Sequence, residues 1–344
     1  MIQYSLDRDV LQRLRDAQNG LEAILDRFPE ARVLVAGDLT LDEFLTGEVE
    51  RISREAPVAI LRHESTRQIP GGGANAVYNL AKLGAQVTVA GTIGADSQGE
   101  ALRSIFAAAG IDTSGIVVDR DRPTVTKTRI SGHARQSVTQ QMVRVDRKSD
   151  APMPAAIDRE LAAFLSSRVA GADAVVCSDY GDGVFSAAAI AAALEHPRTI
   201  VDAQTGLERY RGATVFTPNL PEAELASGVA IVDAASLQRA GEILLERTEA
   251  SYILITCGGD GMALFDRQGE THHVPAFNRT DVFDVTGAGD TVAATLTLAM
   301  CCGATMWEAI VLGNLAASLV VRQFGTATTS IVDMKAALTA LLEE

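Results

Sequence analysis

Apolar positions recur at helical spacing over residues 6–28, where Leu11, Leu14, Leu21, Ile24 and Leu25 share one side of an otherwise polar helix. The run 31–38 is almost wholly apolar until it closes on Gly37-Asp38, which predicts a buried strand. Residues 40–70 mix polar side chains with β-formers. Pro70 to Asn75 then opens a helix through Leu83, followed by a strand over 86–93 and a helix over 98–109. Over 115–146 the character changes. Val117-Val118, residues 124–131 and residues 137–145 alternate as strands of an exposed antiparallel piece. Together with 40–70 this piece is expected to form a small β lid. From 157 onward, strands near 173–178, 198–202, 213–217, 251–256 and 262–265 alternate with helices, ending in a helical pair near 305–322 and 333–342. The pattern predicts an α/β fold with a mostly parallel central sheet covered by helices on both faces. No repeat, low-complexity tract or long linker interrupts it, so residues 1–344 are expected to form a single domain.

Composition narrows the function. The 344 residues carry a formal net charge of -14 and a pI near 4.9. A field of that sign disfavours a nucleic-acid or anionic-membrane surface, while leaving local anion sites possible. The longest apolar stretch, 292–302, is too short to span a bilayer, so no membrane partner is expected. Cys177, Cys257, Cys301 and Cys302 show no zinc-ligand spacing. Reduced thiols and the lack of an export pattern at the N-terminus point to the cytoplasm.

The densest chemistry lies in residues 283–291. Asp284 and Asp290 flank a Gly287-Ala288-Gly289 turn at the start of an apolar run. Glycines allow the backbone N–H groups of 287–289 to converge on an anion, and a helix beginning there adds its positive dipole end. Asp290 then sits where it could take a proton from an attacking hydroxyl. A cradle with a base in line is what phosphoryl transfer needs. The bland alternative is a glycine turn capping a helix.

Other motifs are individually weaker. Gly71-Gly72-Gly73 permits close approach of a ligand, and Asn75 offers a donor and an acceptor to sugar hydroxyls, or the run is merely a flexible loop. It is not a dinucleotide fingerprint, because it does not follow the first strand. Asp38 stands at the carboxyl end of that strand, where open α/β sheets bind ligands, or it is a turn residue. Asn219 and Glu222, three apart, could organise water around a magnesium ion and nucleotide phosphates, or form a capping box, or both. The Thr256–Gly261 turn, with Gly258, could wrap a nucleotide or close a hairpin. Lys127 and Arg129 point to one face of a lid strand, where they meet a substrate phosphate or solvate the lid.

In this order and spacing, Gly71–Asn75, Asn219-x-x-Glu222 and Asp284-x-Thr-Gly-Ala-Gly-Asp290 resemble the ribokinase-like (PfkB) carbohydrate kinases over nearly the whole chain. Ser53-x-Glu55-Ala56-Pro57, Gln140-Gln141, Arg144-x-Asp146 and Ser178-Asp179-Tyr180 look more narrowly like the heptose 7-phosphate kinases of ADP-heptose synthesis, which act at O1. The resemblance implies Asp290 as base and an anion hole from Gly287, Ala288 and Gly289. It implies Asp38, Gly72 and Asn75 around the sugar; Gly73, Lys127 and Arg129 stay candidate substrate contacts from the reading of the residues themselves. It also implies Asn219 and Glu222 at the magnesium–phosphate region, Glu222 through water, and Thr256, Gly258, Gly261 and Asn314 along ATP. Mg2+ is the implied metal, with room for a monovalent cation, and a homodimer through the lid is the implied assembly. Two lysines of the heptose-kinase pattern are Asp182 and Gln204 here. The nucleotidyltransferase domain fused to some of these kinases is not expected in 1–344. A kinase for a different sugar, or a non-catalytic sugar-binding protein of the same fold, are the alternatives.

Overall fold

The computed structural model describes residues 8–134, 138–278 and 282–343. The expected first turn of the leading helix at residues 6–7 and the expected strand start at Ser137 lie outside the described residues. Helix α1 (Arg8–Asp26) precedes strand β1 (Arg32–Gly37), from which the chain leaves the sheet into β2 (Leu39–Ile52) and β3 (Ala59–Gly72). It returns through α2 (Gly73–Lys82), β4 (Gln86–Gly94), α3 (Ser97–Ala108) and β5 (Asp112–Asp119), then leaves again into β6 (Val125–His133) and β7 (Gln140–Arg147). The second half alternates: α4 (Ala155–Arg168), β8 (Ala174–Asp179), α5 (Ala187–Leu194), β9 (Thr199–Ala203), β10 (Val215–Phe216), α6 (Leu220–Ser227) and α7 (Ala234–Thr248). It closes with β11 (Tyr252–Thr256), β12 (Met262–Asp266), β13 (Thr271–Val274), α8 (Ala288–Cys301), α9 (Met306–Val320) and α10 (Ile331–Glu343).

Nine strands make the main sheet in the order β13-β12-β11-β10-β9-β8-β1-β4-β5. Pairing is parallel from β5 to β11 and antiparallel for the two edge strands β12 and β13. Alternation along β1 sends Val33 and Val35 into one core layer and Leu34 and Ala36 into the other. The first layer packs under α1, α2, α8, α9 and α10, through residues such as Leu14, Leu80, Leu296, Leu315 and Met334. The second packs under α4, α5 and α7, through Leu161, Ile190, Leu237 and Leu244.

The lid is a separate sheet in the order β3-β2-β6-β7. Here β2 pairs antiparallel with β3 and in parallel with β6, while β6 pairs antiparallel with β7. Two expectations need correction. Val117-Val118 was expected in the lid, but β5 pairs with β4 at the edge of the main sheet, so the second lid segment begins at Val125. The edge strand β13 was not expected at all, since Thr-His-His-Val has little apolar signal. The glycine run also has a different physical reason from the one expected. A Cβ on Gly73 would come within 2.9 Å of the Asp38 backbone, and one on Gly72, at φ 51°, within 2.9 Å of Thr40 Oγ1. The close approach that these glycines allow is to the chain itself, where β3 returns past β1 and β2.

Candidate active site

The carboxyl ends of β1, β8 and β9 and the amino end of α8 meet below the lid. Asp290 lies in the first turn of α8 and is 2% exposed. Asn75 Nδ2, from α2, donates to its Oδ2 at 2.8 Å, and the Tyr180 hydroxyl donates to Oδ1 at 3.1 Å. Asn75 is itself fixed, because Asn79 Nδ2 donates to its Oδ1 at 3.0 Å and Thr291 Oγ1 donates to Asn79 Oδ1 at 3.0 Å. A buried polar chain thus ties α2 to α8 behind the carboxylate. Burial pushes the Asp290 carboxyl up to about 7, and the Asp42 charge adds to this, while the Asn75 and Tyr180 donors and Lys127 pull it down. A carboxylate titrating there suits a general base working near neutral pH.

Gly287, at φ 79°, is the N-cap of α8. A Cβ there would meet Asn75 Nδ2 at 2.5 Å, so glycine is needed for conformation and for space. The expected anion hole changes in one member. The Ala288 N–H donates to Val285 O at 3.2 Å and closes the turn. Among the described residues no hydrogen-bond partner meets the N–H groups of Gly287, Gly289 and Asp290, so these three are the amides free to meet an anion.

Asp38 is 1% exposed. Its Oδ2 accepts from the N–H groups of Tyr180 (2.8 Å) and Asp182 (3.0 Å), and its Oδ1 from Val184 N–H (3.1 Å). What it grips in this structure is the 180–184 loop that carries Tyr180. Burial raises its carboxyl to about 6 against those donors. Asn75, expected at the sugar, likewise gives its amide to Asp290 rather than to open space. Lys127 lies over the Tyr180 ring, 5.4 Å from its centroid, and so faces the site rather than solvent. Asp182 stands 3.8 Å from Lys148 of the lid return, with burial raising its carboxyl and Lys127 and Lys148 lowering it.

Two clefts flank this centre. One, of about 190 Å³, is lined by Asp179, Asp202, Gln204, Glu222 and Asp290 together with Tyr180 and Gly289. Asn219 and Glu222 form the capping box of α6, with Asn219 N–H donating to Glu222 Oε2 at 2.9 Å and Glu222 N–H to Asn219 Oδ1 at 3.0 Å. Burial raises the Glu222 carboxyl, and burial with Asp290 and Glu222 nearby holds Asp202 well above the usual range. Among the described residues no group of three His, Cys, Asp or Glu is placed to hold a metal by itself. The second cleft, about 430 Å³, brings together Thr256, Gly258, Gly261 and Asn314 with an apolar wall that includes Leu220, Val292 and Val321. Asn219, Thr256 and Gly289 border both clefts. The 256–261 segment joins the arms of the β11–β12 hairpin, the second of its two expected roles, and also lines this cleft.

Tyr180, Asn79 and Asp202 were not assigned by sequence reasoning. A polar Asn79 one turn after Asn75, inside an apolar helix, was the available signal for one of them. Tyr180 closes the Ser178-Asp179-Tyr180 run that carried part of the resemblance, though without a role assigned to it, and Asp202 lies within the end of β9.

An apolar-walled cleft that shares a glycine turn and a buried carboxylate with an acidic cleft, under a separate β sheet, is an arrangement suited to phosphoryl transfer. The comparisons specify it. The description "pfkB family carbohydrate kinase" matches residues 31–333, and the chain belongs to that family: it is an ATP-dependent sugar kinase with a ribokinase-like fold. Over 319 residues it is 41% identical to "Bifunctional protein HldE" of Pelobacter propionicus, and over 318 residues 43% identical to the protein of that name from Desulfatibacillum aliphaticivorans. These alignments cover 91% and 90% of this chain but 64% of each relative's length. Among solved structures, Arabidopsis thaliana ribokinase complexed with ribose and ATP superposes with a TM-score of 0.69 at 19% identity, covering 91% of this chain and 99% of that one. Escherichia coli phosphofructokinase-2 in complex with substrates and products gives 0.74 at 20% identity, covering 90% and 99%. At such identities the likeness is one of fold.

Proposed function

We propose that this chain transfers the γ-phosphoryl group of ATP to O1 of D-glycero-D-manno-heptose 7-phosphate, with Asp290 as the base. The observation that carries the reading is the position of Asp290, buried, raised toward neutrality and adjacent to unpaired amides between two clefts. The sugar hydroxyl binds beside Asp290 Oδ1, displacing or sharing the Tyr180 hydroxyl. Asp290 accepts the hydroxyl proton as the oxygen attacks. The N–H groups of Gly287, Gly289 and Asp290 stabilise charge developing on the transferred group. Asn75 holds the carboxylate in place, and Asp38 holds the loop that supplies Tyr180. ATP lies along Thr256, Gly258, Gly261 and Asn314, its phosphates reaching toward Asn219 and Glu222.

Glu222 and Asp202 fit Mg2+ held largely by water and phosphate oxygens, because Mg2+ retains several waters and seldom uses an all-protein cage. When bound, the ion neutralises phosphate charge. The resemblance to HldE proteins supports the heptose substrate. A second reading has its own support: Asp179, Asp202, Glu222 and Asp290 line the inner cleft, where Gln204 stands in place of a lysine, and Asp182 replaces a second lysine nearby, which favours an uncharged acceptor. Coupled ADP release on heptose 7-phosphate, unphosphorylated heptose, ribose, fructose and fructose 6-phosphate decides between them. Turnover of another sugar with none on heptose 7-phosphate removes the first reading.

Assembly through the lid belongs to the same proposal. β3 and β7 are the lid's edges, and every residue of β7 is exposed, including Met142, Val143 and Val145. An open strand edge with apolar side chains is suited to pairing with a second copy.

A further inference from the structure

The register of the lid arranges its side chains in rows across the four strands. Ile69, Asp42, Lys127 and Asp146 form one row, next to the base. Arg67, Phe44, Arg129 and Arg144 form the next, and Ser65, Thr46, Ser131 and Gln141 the one beyond. Same-face rows lie two residues apart, about 7 Å along the strands. The face is the inner one, because Lys127 in the first row sits over Tyr180.

The two outer rows open on a cleft of about 630 Å³ that neither the base nor the nucleotide residues occupy. Its core side is formed by Asp284 and Thr286, in the loop that leads directly to the anion turn, and by Phe324 and Gly325. The Phe44 ring carries two guanidinium groups, Arg67 at 5.1 Å and Arg129 at 5.2 Å from its centroid. Phe324 packs edge-on against the same ring, at 5.9 Å. Arg67 has no carboxylate partner among the described residues. Arg129 Nη1 stands 2.8 Å from Asp42 Oδ1, yet without hydrogen-bond geometry, and both atoms are buried with no hydrogen-bond partner. Asp284 does not neutralise the pair at close range. Its Oδ1 accepts from Thr286 N–H and Oγ1 and its Oδ2 from Gly325 N–H. Arg144 is already matched by Asp146, at 2.8 Å.

We propose that this cleft is a second phosphate subsite, in which Arg67 and Arg129, bracketing Phe44, bind a phosphate monoester carried by the acceptor at the end remote from its reacting hydroxyl. The proposal rests on the kinase reading for the reacting end and specifies the acceptor class: a sugar phosphate long enough to reach from the Lys127 row to the Arg67 row. Planar guanidinium forks match phosphate oxygens in pairs, and stacking on one ring holds both forks ready. The hydroxyls of Ser65 and Ser131 and the amide of Gln141 offer further donors to the same anion. The negative charge lost from view in the acidic inner cleft is thereby received in a different place. A phosphorylated acceptor and a carboxylate-lined base site are then compatible.

The test is Arg67→Gln in the full chain, read as the ratio of kcat/KM for heptose 7-phosphate to kcat/KM for unphosphorylated heptose. Losing one charge-assisted fork lowers that ratio about ten- to a hundredfold, chiefly through KM. Inorganic phosphate competes with the sugar phosphate in the wild type and does so more weakly in the variant. Arg129→Lys, which keeps the charge opposite Asp42, lowers the ratio in the same direction. An equal ratio in wild type and Arg67→Gln, or a wild type that prefers the unphosphorylated sugar, overturns the subsite. Calorimetric binding of the sugar phosphate separates the two ideas. Binding that depends on Arg67 without any ATP turnover removes the kinase reading and keeps the subsite, whereas turnover of both sugars alike keeps the kinase and removes the subsite.

Discussion

The Asp290 carboxylate, the proposed base, is held by groups from three parts of the chain: Asn75 from α2, Tyr180 from the loop after β8, and the first turn of its own helix. Each donor lowers its carboxyl from the position that burial sets, so removing one raises it. Tyr180→Phe should therefore move the acidic limb of the kcat/KM profile to higher pH, since a base must lose its proton to act. An unmoved limb would show that the hydroxyl does not reach the carboxylate in the working enzyme. Stability follows the opposite logic. The folded carboxyl is raised above its unfolded value, so the folded state binds the proton more tightly. Ionisation then costs stability progressively as pH rises from the unfolded value near 4 to about 7, and fully above it. Asp290→Asn should raise Tm at pH 8 and lose most of that advantage at pH 5, as measured by thermal unfolding at both pH values. The local motif made Asp290 legible, because its glycines and carboxylate are contiguous. Its partners were not legible, being 110 and 215 residues away, and Asn75 and Asp38 were therefore assigned to sugar when the structure gives their polar atoms to Asp290 and to the 180–184 loop.

At the scale of elements, the turn into α8 separates two glycines that look alike in sequence. Gly287→Ala places a Cβ against Asn75 at a backbone angle that L-residues resist, and should cost about 1–3 kcal/mol of stability and most of the activity. A Cβ on Gly289 meets nothing within 4 Å. Gly289→Ala should keep or gain stability, by up to about 1 kcal/mol of helix propensity, while raising KM for ATP because the methyl enters the shared wall of the two clefts. Equal damage from both substitutions, in unfolding and in steady-state kinetics, would contradict this account of the turn. Strand alternation announced most of the elements themselves. It could not say which sheet a strand joins, and this is why β5, with its paired valines, looked like a lid strand. A four-residue polar edge such as β13 carries too few apolar positions to register at all.

For the whole molecule, the main sheet is a platform, and the lid is joined to it by three segments close to the site: Gly37 to Leu39, Gly72 to Gly73, and the strands' returns around Arg122. The Arg122 guanidinium donates to Ser149 O at 3.1 Å and Asp182 O at 3.3 Å, and also to Ala151 O. One side chain thus links both returns of the β6–β7 hairpin to the loop held by Asp38. The proposed lid dimer makes a prediction at this scale. Val143→Glu with Val145→Glu, on the exposed edge strand, should convert a dimer to a monomer in sedimentation velocity, and a wild type that sediments as a monomer would remove the assembly proposal. Fold class was legible in the sequence because strand–helix alternation is a property of the whole chain. The joining of lid to platform was not, because it depends on contacts between distant segments.

The central claim is that Asp290 takes the proton from a sugar hydroxyl as ATP donates its phosphoryl group. Its most direct test is steady-state ADP release with ATP, Mg2+ and heptose 7-phosphate by the wild type and by Asp290→Asn, alongside calorimetric binding of the sugar to each. A kcat lower by about 10²–10⁴-fold in the variant, with sugar binding largely retained, is the predicted result. Turnover near that of the wild type would contradict it.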